Sequence, residues 1–233
     1  MRKYSLFLLD ADDTIFDFSA CCKNALAHAA EESGLAFDDG MHALYLSIND
    51  RLWAQLERRE ITHGELLTLR FALFLRGLGL PEGGAAELNR RYVEALSREC
   101  VTFPGARDFL AELCELGDIY VVTNGTASVQ HGRMERFGMK EYVKGVFISE
   151  EIGAYKPAAE YFAGVRAGIP DFSPGKTLLI GDSLSSDIAM AAAAGVDSVW
   201  FNRKEKAFSG AAEPTYVAQG YKDVLKIAAK GAD

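Results

Sequence analysis

The chain has 233 residues, a formal net charge of −8 and a hydrophobic fraction of 49%. That length and apolar content suit one large domain, or a core with a smaller insert. The acidic balance argues against a general nucleic-acid or anionic-membrane partner, since either requires a basic face. An anionic substrate stays compatible with it, because a metal and one lysine make a local positive pocket.

Met1-Arg2-Lys3 resembles the basic tip of a signal peptide, but the apolar run Leu6 to Leu9 stops at Asp10, too short for a signal core. No run approaches the roughly 18 apolar residues of a membrane-spanning helix. The first strand is expected over Tyr4–Leu9, ending at Asp10-Ala11-Asp12-Asp13-Thr14. The four cysteines, Cys21, Cys22, Cys100 and Cys114, form no C-x-x-C pair and read as free thiols of a cytoplasmic protein. From Phe16 to about Val101 only helical patterns occur. Asn49–Arg59, around Trp53 and Leu56, reads as one helix, and Ala85–Arg98 as another. Between them, Thr62-His63-Gly64-Glu65 has capping-box form and opens the apolar run Leu66–Leu75. A crossover of about 85 residues is far longer than one helix needs. Residues 16–101 are therefore expected to form an inserted helical domain, and residues 1–15 with 102–233 the core.

From Phe103-Pro104-Gly105 onward, strand and helix alternate. Ile119–Val122 ends at Thr123, Val146–Ile148 at Ser149, Leu178–Ile180 runs into Gly181-Asp182, and Val199–Phe201 ends at Asn202. Such continuous apolar runs fit strands buried on both faces. Helices are expected over Ala106–Leu116, Ser128–Phe137, Ala158–Ala167 and Ser183–Ala194. Each precedes a glycine expected to take the left-handed turn past the helix end. The tail is expected to fray after about Ala228. The alternation predicts an α/β fold, a doubly wound, Rossmann-like parallel sheet. In such sheets ligands lie beyond the carboxyl ends of the strands, where the polar endings collect.

Four of these endings carry chemistry. In Asp10-Ala11-Asp12, carboxylates at i and i+2 on a tight loop can face one site, or lie on a solvated turn. A calcium-loop reading fails because position twelve is Cys21, not the bidentate glutamate an EF-hand needs. Thr123-Asn124-Gly125 offers a hydroxyl and amides suited to phosphate oxygens, or simply a helix cap. Lys156 precedes Pro157 and a helix, and alone reads as an ordinary surface lysine. Asp182 ends a buried strand, and Asp187 lies about one turn later, placed either as a cap or to hold a metal-bound water. Together, at the ends of strands of one sheet, they carry the charges of a phosphoryl-transfer site. The histidines at 28, 42, 63 and 131 show no metal-ligand spacing.

These elements, in this order, resemble the motifs of the haloacid dehalogenase superfamily of hydrolases, and residues 16–101 resemble its helical cap of the first type. Asp10-Ala11-Asp12-Asp13-Thr14-Ile15-Phe16, Thr123-Asn124-Gly125, Ile148 through Pro157 and Gly181-Asp182-Ser183 are similar to the pyrimidine 5′-nucleotidase branch. The resemblance implies an aspartyl-phosphate on Asp10, with Asp12 as general acid and base. It implies Mg²⁺ held by the Asp10 side chain, the Asp12 backbone carbonyl and Asp182, with Asp187 orienting either Lys156 or a metal water. Thr123, the amides near Asn124 and Gly125, and Lys156 would stabilise the phosphoryl oxygens. Dehalogenases of the superfamily lack the metal and the second aspartate, so the resemblance implies phosphatase chemistry.

The expected partner is a small phosphorylated metabolite, foremost a pyrimidine nucleoside monophosphate, bound by a monomer or homodimer. Phe16 and Trp53 are candidates to stack on a base, or else packing residues. Arg133 and Tyr155 are further candidates for substrate contact. A phosphatase for sugar phosphates or phosphoglycolate-like metabolites is the alternative enzyme, and a non-catalytic binding relative the alternative from another class.

Overall fold

The structure is a computed structural model that describes residues 3–230. In chain order the elements are β1 (Leu6–Leu9), α1 (Phe18–Glu32), α2 (Asp39–Glu57), α3 (His63–Gly77), α4 (Ala85–Arg98), α5 (Ala106–Cys114), β2 (Asp118–Thr123) and α6 (Ala127–Phe137). There follow β3 (Gly145–Ile148), α7 (Ser149–Ile152), α8 (Ala159–Ala167), β4 (Thr177–Gly181), α9 (Ala189–Ala194), β5 (Asp197–Phe201), β6 (Tyr216–Ala218) and α10 (Tyr221–Ala228). The chain forms two compact units. Among the described residues, a sheet unit holds residues 3–17, 102–127 and 137–230; a helical unit holds residues 18–101 and 128–136.

The sheet unit is built on six parallel strands in the order β3-β2-β1-β4-β5-β6. Its centre is apolar because both faces are covered. All four residues of β1 and all five of β4 are buried. On one face Leu8, Val122, Leu179, Tyr161, Val165 and Met190 pack together. Burying each large apolar side chain contributes roughly 1.5–3 kcal/mol, which holds the strand ends in place. Strand order reverses direction between β1 and β4, the position where doubly wound sheets open a crevice at their carboxyl ends. Asp10 and Asp182 are the residues immediately beyond those two strands.

Several local expectations need correction. The helix expected over Ser183–Ala194 opens instead with a π-helical turn, Leu184–Ile188, and becomes α-helical only at Ala189. Gly138 and Gly195 take the left-handed turn, but Gly117 and Gly168 do not. Gly117 is required by close approach, since a Cβ there would lie 2.3 Å from the Ser5 carbonyl oxygen. The short strand β6 and helices α7 and α10 were not anticipated. Met1, Arg2 and the last three residues of the expected fraying tail lie outside the described residues.

In the helical unit the capping box at Thr62 is formed: Glu65 N–H donates to Thr62 Oγ1 at 3.2 Å, and Thr62 N–H to Glu65 Oε2 at 2.7 Å. α2 begins at Asp39, ten residues before the expected start at Asn49, because Asp38 caps it by accepting from Met41 N–H at 2.8 Å. The core of this unit is aromatic, with Tyr45, Phe71, Phe74 and Tyr92 in mutual contact and the buried Arg70 guanidinium against three of the rings. None of the four cysteines is joined in a disulfide. Among the described residues no helix is long and apolar enough to cross a membrane.

Candidate active site

Three neighbouring strands deliver the site. Asp10 follows β1, Thr123 ends β2 and Asp182 follows β4, all at the carboxyl edge of the sheet. Lys156 comes from the loop after α7, and Asp187 from the π-helical turn after Asp182. Its geometry centres on the Lys156 ammonium, which is 2% exposed. It donates to Asp10 Oδ1 at 2.7 Å, to Asp187 Oδ1 at 2.6 Å and to the Val122 carbonyl at 3.0 Å. An ammonium has three donors, so all three are used within the protein.

Asp187 lies hard against the chain. Its second oxygen accepts from Ser183 N–H at 3.1 Å, and a Cβ at position 181 would stand 2.3 Å from it. Only glycine at position 181 leaves room for this approach. Of the two roles considered for Asp187, its hydrogen bond favours the orientation of Lys156.

Charge at the site is unbalanced. Oxygens of Asp10, Asp182 and Asp187 lie within 4.8 Å of one another. Burial pushes the Asp10 carboxyl up to about 7 against the pull of Lys156, and the charges of Asp187 and Asp12 add to the rise. Asp182 is held well above the usual carboxylate range by desolvation and by the charges of Asp10 and Asp187. Lys156 is raised above its ordinary value although burial opposes this, because Asp10 and Asp187 outweigh the burial. Three converging carboxylates against one ammonium make a site whose hard oxygen donors and excess negative charge fit a divalent cation such as Mg²⁺.

Two groups of the Thr123-Asn124-Gly125 turn have partners within the protein. The Asn124 side chain accepts from Lys156 N–H at 2.8 Å and donates to the Lys156 carbonyl at 3.0 Å. It clamps the backbone of the central lysine and so is occupied within the protein. The Gly125 N–H donates to Thr123 Oγ1 at 3.1 Å, which leaves the buried Thr123 hydroxyl hydrogen, not this amide, to be directed elsewhere. The Asn124 clamp gave no sequence signal, because an asparagine after a strand reads equally as a cap. Asp13 takes φ of +56° and, with Thr14, has a buried side-chain oxygen lacking a hydrogen-bond partner. Asp12 is half-buried on the same loop.

The candidate stacking residues are placed as follows. Phe16 is fully buried in the sheet unit, its ring edge-on to Phe137 at 5.9 Å, surroundings that favour the packing alternative. Trp53 is half-buried in the helical unit, where its Nε1 donates to Asn49 Oδ1 at 3.2 Å. Arg133 is fully buried in the helical unit, and Tyr155 is half-buried near Lys156 in sequence.

Known proteins resemble this chain along its whole length. The Bacillus subtilis HAD-hydrolase YfnB is 35% identical over 227 residues, covering 97% of this chain and 96% of its own. Its crystal structure, bound to magnesium, superposes with a TM-score of 0.92 over 97% of this chain and 99% of that one. The pyrimidine 5′-nucleotidase PynA of Streptococcus pneumoniae is 36% identical over 223 residues, 95% of this chain and 94% of that one. Its counterpart YjjG of Escherichia coli is 28% identical over 230 residues, 98% and 99% of the two chains. The haloacid dehalogenase-like hydrolase family model matches residues 4–195. Sheet order, converging carboxylates and these matches agree, and the chain belongs to the haloacid dehalogenase-like hydrolase family.

Proposed function

We propose that this protein hydrolyses small phosphate monoesters with Mg²⁺, through a phosphorylated Asp10, and that pyrimidine nucleoside 5′-monophosphates are its foremost substrates. The observation that carries this reading is the Lys156 ammonium fixed between Asp10 and Asp187, with Asp182 completing an acidic cluster suited to a divalent ion. The resemblance to two pyrimidine 5′-nucleotidases supports the substrate class.

Asp10 attacks phosphorus as the bond to the leaving oxygen breaks, and Asp12 in its acid form gives that oxygen a proton. Asp12 then takes a proton from water, which attacks the aspartyl-phosphate and releases inorganic phosphate and free Asp10. Asp10, the Asp12 carbonyl, Asp182 and, from its place in the cluster, Asp187 are the groups proposed to hold or support the ion. When bound, it supplies positive charge that lets an anionic carboxylate meet an anionic phosphoryl group. Lys156 holds the Asp10 rotamer and offsets its charge, and Thr123 offers its hydroxyl to a phosphoryl oxygen. Trp53 is kept as the aromatic candidate for substrate contact.

The test is phosphate release from nucleoside monophosphates and sugar phosphates, with Mg²⁺ or EDTA, for wild type and Asp10→Asn. Metal-dependent release, highest for pyrimidine nucleotides and abolished in the variant, is expected. Equal turnover by Asp10→Asn would refute the covalent route, and a sugar phosphate far ahead of every nucleotide would refute the substrate class.

A further inference from the structure

A second asparagine clamp lies beside the site, in the connection from β5 to β6. The buried Asn202 donates from Nδ2 to the Lys206 carbonyl at 2.9 Å and accepts at Oδ1 from Lys206 N–H at 2.9 Å. This is the arrangement that Asn124 makes with Lys156. Asn202 is itself tied to the sheet by its N–H, which donates to the Ala218 carbonyl at 2.8 Å. Glu205 at the turn takes φ of +49°, and its N–H returns to the Asn202 carbonyl at 3.2 Å. The backbone of an exposed lysine is thus fixed from both sides, which solubility alone does not require.

What the clamp positions is a charge next to the acidic cluster. Lys206 lines a cleft of about 520 Å³ together with Asp182, Ser183, Ser185 and Trp200. The Trp200 indole N–H donates to the Asp182 carbonyl at 2.9 Å, joining the wall of the cleft to the strand end that carries the carboxylate. Lys206 also lies near enough to Asp182 and Asp13 to offset part of the repulsion on them. A dianionic phosphate approaching this protein meets a net charge of −8 and a cluster of carboxylates, while Lys156 is buried and its donors are taken.

We infer that Lys206 is a substrate-recruiting residue: held by Asn202 at the cleft beside Asp182, it draws the phosphate group toward the catalytic edge and favours its binding without taking part in the chemical step. This rests on the phosphatase reading above. A fixed cation beside an acidic cluster raises the local concentration of an anion and is weakened by salt.

The experiment measures inorganic phosphate binding by calorimetry with Mg²⁺, and steady-state hydrolysis of uridine 5′-monophosphate, for wild type and for Lys206→Ala, Lys206→Glu and Lys206→Arg. Phosphate Kd and KM are expected to rise about fivefold in the alanine variant and roughly 20-fold in the glutamate variant, with kcat within about twofold. Arginine is expected to restore both, and high salt to narrow the differences. No phosphate binding by wild type, unchanged Kd and KM in Lys206→Glu, or a fall confined to kcat would each overturn the inference. Wild-type protein without metal-dependent hydrolysis would instead refute the phosphatase reading, and the calorimetric arm would still decide the part of Lys206.

Discussion

Replacing Lys156 with methionine keeps most of the side-chain volume and removes three hydrogen bonds at once. Two of these, at 2.7 and 2.6 Å, join buried charges, and the third, at 3.0 Å, satisfies the Val122 carbonyl. Removing one partner of a buried ion pair costs about 3–5 kcal/mol, and an orphaned buried carbonyl about 1–3 kcal/mol more. These costs do not simply add. Burial already favours the neutral form of Asp10, so without its counter-charge it protonates more readily and escapes part of the penalty. A net loss of about 3–5 kcal/mol is expected. For a chain of this size each kcal/mol moves Tm by about 2–4 °C, so Tm falls by about 6–20 °C. The assay is thermal unfolding in EDTA at pH 7.5, with urea unfolding as a second measure. Lys226→Met serves as control: that lysine is 80% exposed, and its loss should change stability by no more than about 0.5 kcal/mol. A Tm drop below about 2 °C for Lys156→Met, like that of the control, would refute the claim that this ammonium neutralises the buried carboxylates.

Asn124→Ala is expected to lower kcat at least about tenfold while leaving KM within about twofold, because it frees the Lys156 backbone without removing a phosphate ligand. A rise in KM with kcat intact would show that Asn124 binds substrate. At the far edge of the sheet unit, Asp197 accepts from the Tyr4 hydroxyl at 2.7 Å and pairs with Lys3 at 2.9 Å. Burial pushes its carboxyl up, but the bonds from Lys3 and Tyr4 prevail and hold it below the ordinary value. A lowered carboxylate contributes stability above its unfolded pKa and loses it as pH falls through the folded one. Asp197→Asn is therefore expected to cost about 1 kcal/mol at pH 7, with the gap to wild type closing in denaturant titrations as pH falls below the ordinary aspartate range. A gap that persists unchanged into acid would refute the electrostatic account.

The parts of this molecule that could be read from its sequence are those where burial is one-dimensional. A strand such as Leu6–Leu9 or Leu178–Ile180, covered on both faces, writes an unbroken apolar run, so its polar terminus marks the edge where ligands gather. The capping box at Thr62 was legible because its two bonds are local. What stayed hidden depends on contacts distant in sequence. Asn124 reaches Lys156 across 32 positions, and no spacing rule records that its amide faces a backbone. Phe16 carries an aromatic ring wherever it points, and only its contact with Phe137 shows that it is enclosed. β6 has three residues at the sheet edge with Val217 exposed, too short and too mixed to stand out from a loop. The left-handed turn expected at Gly117 missed a constraint that belongs to Ser5, more than a hundred residues away.

The central placement of β1 has a consequence for how the protein becomes an enzyme. Its pairing joins residues 6–9 to 118–121 on one side and to 177–180 on the other. Asp10 therefore acquires its neighbours only after two loop closures, each spanning more than a hundred residues. Contacts of such range are slow to form and are won late, whereas single helices appear on submillisecond scales. Neither a nascent chain nor a proteolytic fragment ending before β4 contains the acidic cluster, however much helix it has made. Hydrolytic competence in that sense requires the middle of the sheet to have closed.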